Sequence, residues 1–263
     1  MIRGAPAFLG GAMALAVASA AAVAAGGEQV ARYRGNGDAV RLFDQFDNDG
    51  YSLAVSAGPA GSVELSVRVS DSPLASRAPF PTGLPRDRAL PHAPERDAFA
   101  ESSARGATTE AVAVERILGA LAAAVRYDPD HVRRQDPTAV FAEKRANCVG
   151  LSELAVDLLR RAGIRARTVQ GVLKTEPGTA GYDREIGGAY HRWIEVHYPD
   201  RGFAFSDPSA SVNGVDARYL PFSRRAYAKP KDLRLTAVSF AGTLGYGTLP
   251  SGQVSLRRRA LSR

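Results

Sequence analysis

One short segment, Asn147-Cys148-Val149-Gly150-Leu151-Ser152-Glu153-Leu154, does most to restrict the folds open to this chain. It holds the only cysteine among 263 residues and runs straight into a helical pattern. Leu151, Leu154, Ala155, Leu158 and Leu159 recur at the spacing of a single helix face. Gly163 stands where such a helix should stop, and Asp157 and Arg161, one turn apart, are expected to pair on its exposed side. The pattern therefore predicts Cys148 in the first helical turn, beside unpaired backbone N–H groups and the positive end of the helix dipole. Both favour the thiolate, which is the reactive form. A lone cysteine is more often a small buried apolar residue than a nucleophile, so its chemistry depends on whether a histidine can reach it.

The partners lie downstream. Tyr190-His191-Arg192-Trp193-Ile194-Glu195-Val196-His197-Tyr198 alternates and is rich in β-branched and aromatic residues, which predicts a strand with His191 near its start. A turn signal, Pro199-Asp200-Arg201-Gly202, separates it from Phe203-Ala204-Phe205-Ser206-Asp207-Pro208, a second strand ending at an Asp fixed by the following proline. A hairpin of this kind can set His191 beside Asp207, within reach of a helix packed on the sheet. Nucleophilic catalysis needs those roles: an imidazole to deprotonate the thiol and later protonate a leaving amine, and a carboxylate to fix the tautomer and orientation of the imidazole.

These segments carry a family resemblance. The N-C-V-G-L-S-E-L stretch with its helix, the H-R-W-I-E-V strand and the F-S-D-P strand end resemble the core motifs of the transglutaminase-like superfamily. The link Ala162–Val172 and the preceding helical run Ile117–Asp128, with its terminal Tyr127, resemble the family's flanking elements, so the likeness covers roughly residues 110–210. Many relatives have Gly two residues before the Cys, where this chain has Ala146; Ala is tolerated there if φ stays negative. The resemblance implies a papain-like core with Cys148 as nucleophile, His191 as acid–base and Asp207 as orienting carboxylate. It implies a thiol enzyme acting on amide bonds of a protein or peptide substrate. The backbone N–H of Cys148 is the natural first oxyanion donor, with Gln135 and Tyr127 as alternatives for the second. Animal relatives use calcium, but no acidic cluster of ligand spacing surrounds this core, so neither metal nor cofactor is expected.

The other histidines are decoys by context. His197 shares a strand face with His191 but lies about 20 Å along the strand and reads as a surface or hairpin residue. His92 and His131 sit in Pro- and charge-rich stretches and read as solvated. Trp193 reads as core or cleft wall.

Residues Met1–Ala25 have a short positive start, an apolar Ala-rich run and A-x-A sites, the pattern of a secretory signal peptide. Export, to periplasm or medium, is the expectation, with an uncleaved anchor as the alternative; no other run is long enough to span a bilayer. A single thiol in an oxidising compartment forms no intramolecular disulfide and must be reactive or hidden. The net charge of +7 invites a nucleic-acid reading, but the basic residues form no stripe with interleaved aromatics. Arg257, Arg258, Arg259 and Arg263 cluster in a terminal tail that reads as solvated, and a basic surface could favour anionic envelope polymers.

The expected fold class is α+β: a helix-led, papain-like core on an antiparallel sheet, preceded by a small β-rich region. The expected organisation is a leader (1–25), a β-rich region (28–71), a Pro-rich linker (72–97), the catalytic unit (98–222) and a C-terminal extension (223–263) with one further strand near Leu233–Phe240. Asp47-Asn48-Asp49-Gly50 has the middle of an EF-hand loop but lacks its first ligand and its final Glu, so a turn is expected. The polar, Gly-rich loop Lys174–Arg184 would admit water, which favours hydrolysis over amine transfer. Protein cross-linking by transamidation, and a non-catalytic binding module of the same fold, remain the alternatives.

Overall fold

The N-terminal alternation produces strands as expected. β1 (Glu28–Gly35), the short helix α1 (Ala39–Leu42), β2 (Phe46–Asn48), β3 (Tyr51–Ala57) and β4 (Val63–Ser70) follow in order. In this computed structural model the described residues are 27–36, 39–70, 76–80, 89–224, 230, 232–241 and 257–258. Leu65 and Val67 are fully buried and Val63 and Val69 nearly so, while the residues between them face outward, as a period of two requires. Asp49-Gly50 makes a tight turn between β2 and β3, with Gly50 at φ 72°, so this segment is a hairpin turn.

Helices follow. α2 (Pro94–Ala104) starts just ahead of the periodic pattern, with Pro at its first turn, and α3 (Glu110–Ala124) is capped by the Thr109 side chain. β5 (Arg126–Tyr127) pairs in parallel with β6 (Arg145–Ala146) across α4 (Pro137–Glu143). Next comes α5 (Cys148–Arg161), then β7 (Ala166–Lys174), β8 (Gly188–Tyr198), β9 (Gly202–Ser206), β10 (Ser211–Val212), β11 (Tyr219–Pro221), β12 (Leu235–Ala241) and β13 (Arg257–Arg258).

Two antiparallel sheets organise these elements: β11-β7-β8-β9 in the core and β12-β1-β4-β3-β2 against it. The strand expected near Leu233–Phe240 forms, and it joins the N-terminal sheet by pairing with β1. The molecule is thus α+β, with the helices on one face of the core sheet and the second sheet against the other.

One apolar core lies between the helices and the sheet, built from Leu118, Leu121, Leu154, Leu158, Ile194 and Val196 among others. A second fills the space between the two sheets, with Leu53, Leu65, Trp193, Phe205 and Leu220. Within the core sheet itself, a Cβ on Gly171 of β7 would lie 2.1 Å from the Leu220 carbonyl oxygen of β11 and 2.5 Å from the Trp193 ring of β8, so only glycine fits.

Two expectations are corrected. Asp157 and Arg161 do pair at i,i+4 (2.8 Å), but against α2 rather than in solvent. The guanidinium also reaches Asp97 (2.7 Å), and Arg96 approaches Asp157 (3.4 Å). Helix amphipathicity misled here, because a buried ion cluster has the composition of a solvated face. His131 is buried at 7% exposure rather than solvated; it lies within the loop before α4, with Nε2 3.2 Å from Glu143. His92 is exposed, as read.

The leader lies outside the described residues, as do most of the linker and of the basic tail. Of that tail, Arg257–Arg258 pairs in parallel with β10 instead of standing free. Among the described residues no helix is long and apolar enough to cross a membrane.

Candidate active site

Helix α5 begins where the sequence places its cap. The Asn147 side chain accepts from the backbone N–H groups of Val149 (2.9 Å) and Gly150 (3.3 Å), which leaves Cys148 as the first helical residue. The cap is itself anchored. Asn147 Nδ2 donates to the His131 carbonyl (2.8 Å), and the Asn147 N–H donates to Gln135 Oε1 (3.1 Å). A Cβ on Gly150 would meet that same Gln135 oxygen at 2.3 Å, so a glycine two residues after the thiol lets the loop close over the helix start. Leu151, Leu154, Ala155, Leu158 and Leu159 are all essentially buried, which fixes the helix on the sheet. Ser152 Oγ donates to the Arg192 carbonyl of β8 (3.0 Å), and Arg192 pairs with Glu153 (2.7 Å), so the helix and the strand carrying His191 are tied beside the thiol.

The hairpin of β8 and β9 pairs Ile194 with Ser206, and so brings Asp207 alongside the start of β8. His191 Nε2 lies 2.6 Å from Asp207 Oδ2, both groups buried, and the imidazole is also hydrogen-bonded to the Cys148 thiol. Since Nε2 is engaged by the carboxylate, Nδ1 is the nitrogen left for sulfur. Trp193 is fully buried in the core between the sheets, the first of its two readings, and stacks on the imidazole with ring centroids 6.1 Å apart. His197 pairs with Phe203 near the hairpin turn and plays no part here.

The Asp207 carboxylate has every oxygen occupied. Oδ1 accepts from the Ser209 N–H (2.8 Å) and Ser209 Oγ (2.6 Å), and Oδ2 accepts from His191 and from the Tyr219 hydroxyl (2.7 Å). Sequence inspection missed Ser209 and Tyr219. The former had a local signal, since Asp-Pro-Ser is a typical side-chain-to-backbone turn. The latter had none, because Tyr219 reaches the site only through the pairing of β11 with β7.

The electrostatics follow from this geometry. Burial alone would raise the Cys148 thiol, but hydrogen bonding to His191, the imidazolium charge and the Arg192 backbone N–H outweigh it and lower its pKa. Burial alone would lower His191, yet the Asp207 charge and the hydrogen bonds to Asp207 and Cys148 raise it to about 10. Burial opposes ionisation of Asp207 too, and the imidazolium and the surrounding donors hold its pKa below the ordinary value. The three groups favour thiolate, imidazolium and carboxylate together.

The two alternatives for a second oxyanion donor part company. The Gln135 amide donates to the His131 (3.4 Å) and Arg133 (3.0 Å) carbonyls while its oxygen holds the cap, so its role is to brace the loop. Tyr127 is partly buried, and burial and then the nearby Cys148 and Asp207 charges push its phenol well above the usual value. Among the described residues no cluster of His, Cys, Asp or Glu has the arrangement of a metal site.

A thiol at a helix start thus faces a histidine and an aspartate on an antiparallel sheet. Residues 97–208 match the model of the Transglutaminase-like superfamily. Among curated proteins, the uncharacterized protein YebA of Bacillus subtilis (strain 168) is 32% identical over 108 residues, which is 37% of this chain and 14% of YebA. The matched portion is thus a small part of that relative. Among solved structures, a candidate cysteine protease from Cytophaga hutchinsonii is 10% identical with a TM-score of 0.44, covering 85% of this chain and 91% of that one. The periplasmic domain of TgpA from Pseudomonas aeruginosa is 14% identical with a TM-score of 0.38, covering 69% of this chain and 86% of that domain.

Proposed function

We propose that this chain is a thiol enzyme that transfers acyl groups from amide bonds. Cys148 is the nucleophile, His191 the acid–base and Asp207 the orienting carboxylate. The observation that carries this reading is the unbroken hydrogen-bonded line from thiol through imidazole to a buried, fully satisfied carboxylate. The Cys148 thiolate attacks an amide carbonyl, forming a tetrahedral oxyanion beside the helix N-terminus. His191 then gives its proton to the departing amine as the C–N bond breaks, leaving a thioester. An incoming water or amine, deprotonated by His191, attacks the thioester and expels the thiolate. The backbone N–H of Cys148 and the Tyr127 hydroxyl are the proposed oxyanion donors. Tyr127→Phe is then expected to lower kcat and kcat/KM equally, on the order of 10²-fold, the signature of an interaction made only in the transition state. An unchanged kcat would remove Tyr127 from that role.

The leader pattern of residues 1–25 supports an exported enzyme meeting protein or peptide substrates in the cell envelope. The chain divides in this reading into a β-rich region, a linker, a catalytic unit beginning near residue 98 and a C-terminal extension. Hydrolysis is the favoured outcome, because the loop between β7 and β8 is polar and Gly-rich and offers no apolar seal against water.

Two measurements test the reading. Alkylation of Cys148 by iodoacetamide is expected to remain fast near pH 6, where an ordinary thiol is only about 0.3% ionised. A rate that follows an ordinary thiol titration would instead favour a binding module that has kept the fold without the chemistry. Turnover of a peptide amide in the presence of a fluorescent primary amine is expected to yield mainly free acid; predominant amine incorporation would decide for transamidation.

A further inference from the structure

The sheet formed by β12-β1-β4-β3-β2 lies outside the residues that match the family model, yet it sends side chains to the backbone next to the candidate site. Gln29 Oε1 accepts from the Ala217 N–H (3.2 Å), and Tyr33 donates to the Ala217 carbonyl (2.7 Å), both from β1. Tyr51, from β3, donates to the Tyr219 carbonyl (2.6 Å). These contacts grip residues 217–219 from one side, while β7 pairs with β11 from the other. The Tyr219 side chain then projects into the site. Its hydroxyl meets Asp207 Oδ2, and its ring stands edge-on to His191 (5.9 Å) and Trp193 (5.3 Å).

We propose that Tyr219 is a positioning residue for the Asp207–His191 pair, and that the N-terminal sheet holds it in place through Tyr51 and the Gln29–Tyr33 clamp. This rests on the reading of Asp207 as the orienting carboxylate. The physical content is a shared oxygen. Oδ2 accepts from both the imidazole and the phenol, so the phenol fixes which lone pair His191 faces, and it drains charge from the carboxylate. Without that second donor the carboxylate on Nε2 stabilises the imidazolium more strongly, which raises the pKa of the Nδ1 proton, and it has one restraint fewer. The proton that must pass to the leaving amine is then released less readily. A tyrosine that served only to satisfy a buried carboxylate would influence stability and leave the proton equilibrium of His191 where it was.

The titratable groups facing His191 are Cys148 from α5, Asp207 at the end of β9 and Tyr219 from β11, with Tyr127 across the thiol. The test uses Tyr219→Phe, which keeps the ring, and Tyr51→Phe, which removes only the remote clamp, both in the full chain. His191 is titrated by NMR of histidine-15N-labelled protein, alongside kcat and KM for a peptide amide and the melting temperature. In Tyr219→Phe the imidazolium pKa is expected to rise by about half a unit to one unit, as loss of one hydrogen bond to a charged group implies. The same variant should lose about tenfold in kcat with KM unchanged. Tyr51→Phe should move both in the same direction by less. If His191 titrates unchanged in a folded Tyr219→Phe protein, the positioning role is overturned. If Tyr219→Phe does not fold, the Tyr51→Phe titration decides, and an unmoved pKa there overturns the role of the sheet. Asp207→Asn separates the two levels: full turnover in that variant would sink the underlying catalytic reading, whereas lost turnover with an unmoved Tyr219→Phe profile would sink this inference alone.

Discussion

Cys148→Ala is expected to abolish turnover, with kcat falling on the order of 10⁴-fold or more, while the protein still folds. The side chain it removes is small and only partly buried, so the cavity left behind is minor. The helix cap does not depend on it, because Asn147 supplies the acceptor. In the proposed mechanism the chemistry depends on it entirely, since it is the only cysteine in the sequence. The variant should also resist iodoacetamide, which shows that labelling reports this thiol alone. Asp207→Asn should fall almost as far, because an amide facing Nε2 can no longer stabilise the imidazolium. Full activity in Cys148→Ala would rule out a thiol mechanism.

The second large effect lies at the opposite end of the same helix. Arg161→Met should destabilise the fold by about 3–5 kcal/mol at neutral pH, because it strips the guanidinium from a buried carboxylate cluster. Arg161 reaches both Asp157 and Asp97, and the side chains on either side of the contact are nearly inaccessible to water. Arg96 stays close to Asp157, and the exposed His92 stands 3.9 Å from Asp97. Equilibrium denaturation checks the size of the loss, and adding Asp97→Asn to the variant should recover part of the stability, since it lowers the buried negative charge. No recovery on adding Asp97→Asn would mean that lost packing, and not charge, dominates.

Much of the candidate site was legible because its parts are local. A capped amphipathic helix with a cysteine at its head, an alternating strand with a histidine, and a strand end closed by Asp-Pro each declare themselves within about ten residues. Their juxtaposition follows from a hairpin and from helix-on-sheet packing, which leave little choice of arrangement. What escaped notice depends on distant pairing. Tyr219 enters the site through the pairing of β11 with β7, which no window on the sequence reveals, and its carbonyl is held by Tyr51 from the other sheet. The Asp157–Arg161 pair was visible but its surroundings were not, since charge on a helix face says nothing of a second helix with complementary charge. His131 was misplaced for the opposite reason: polar neighbours suggested solvent, while a loop fold tucked it beneath Glu143.

The pairing of β1 with β12 has a consequence for how this molecule comes into being. Val30 lies opposite Ala241, so the first and last strands of one sheet are separated by the whole of the segment 97–208 that matches the family model. A chain emerging from a ribosome presents β1 long before its outer neighbour exists, and contacts of such sequence separation form late because the loop between them must first be ordered. Until then β1, which carries Gln29 and Tyr33, has an open edge. The order of synthesis thus sets a schedule in which the helix bearing the thiol can assemble from neighbouring segments, while the sheet that frames residues 217–219 is completed only when β12 joins β1.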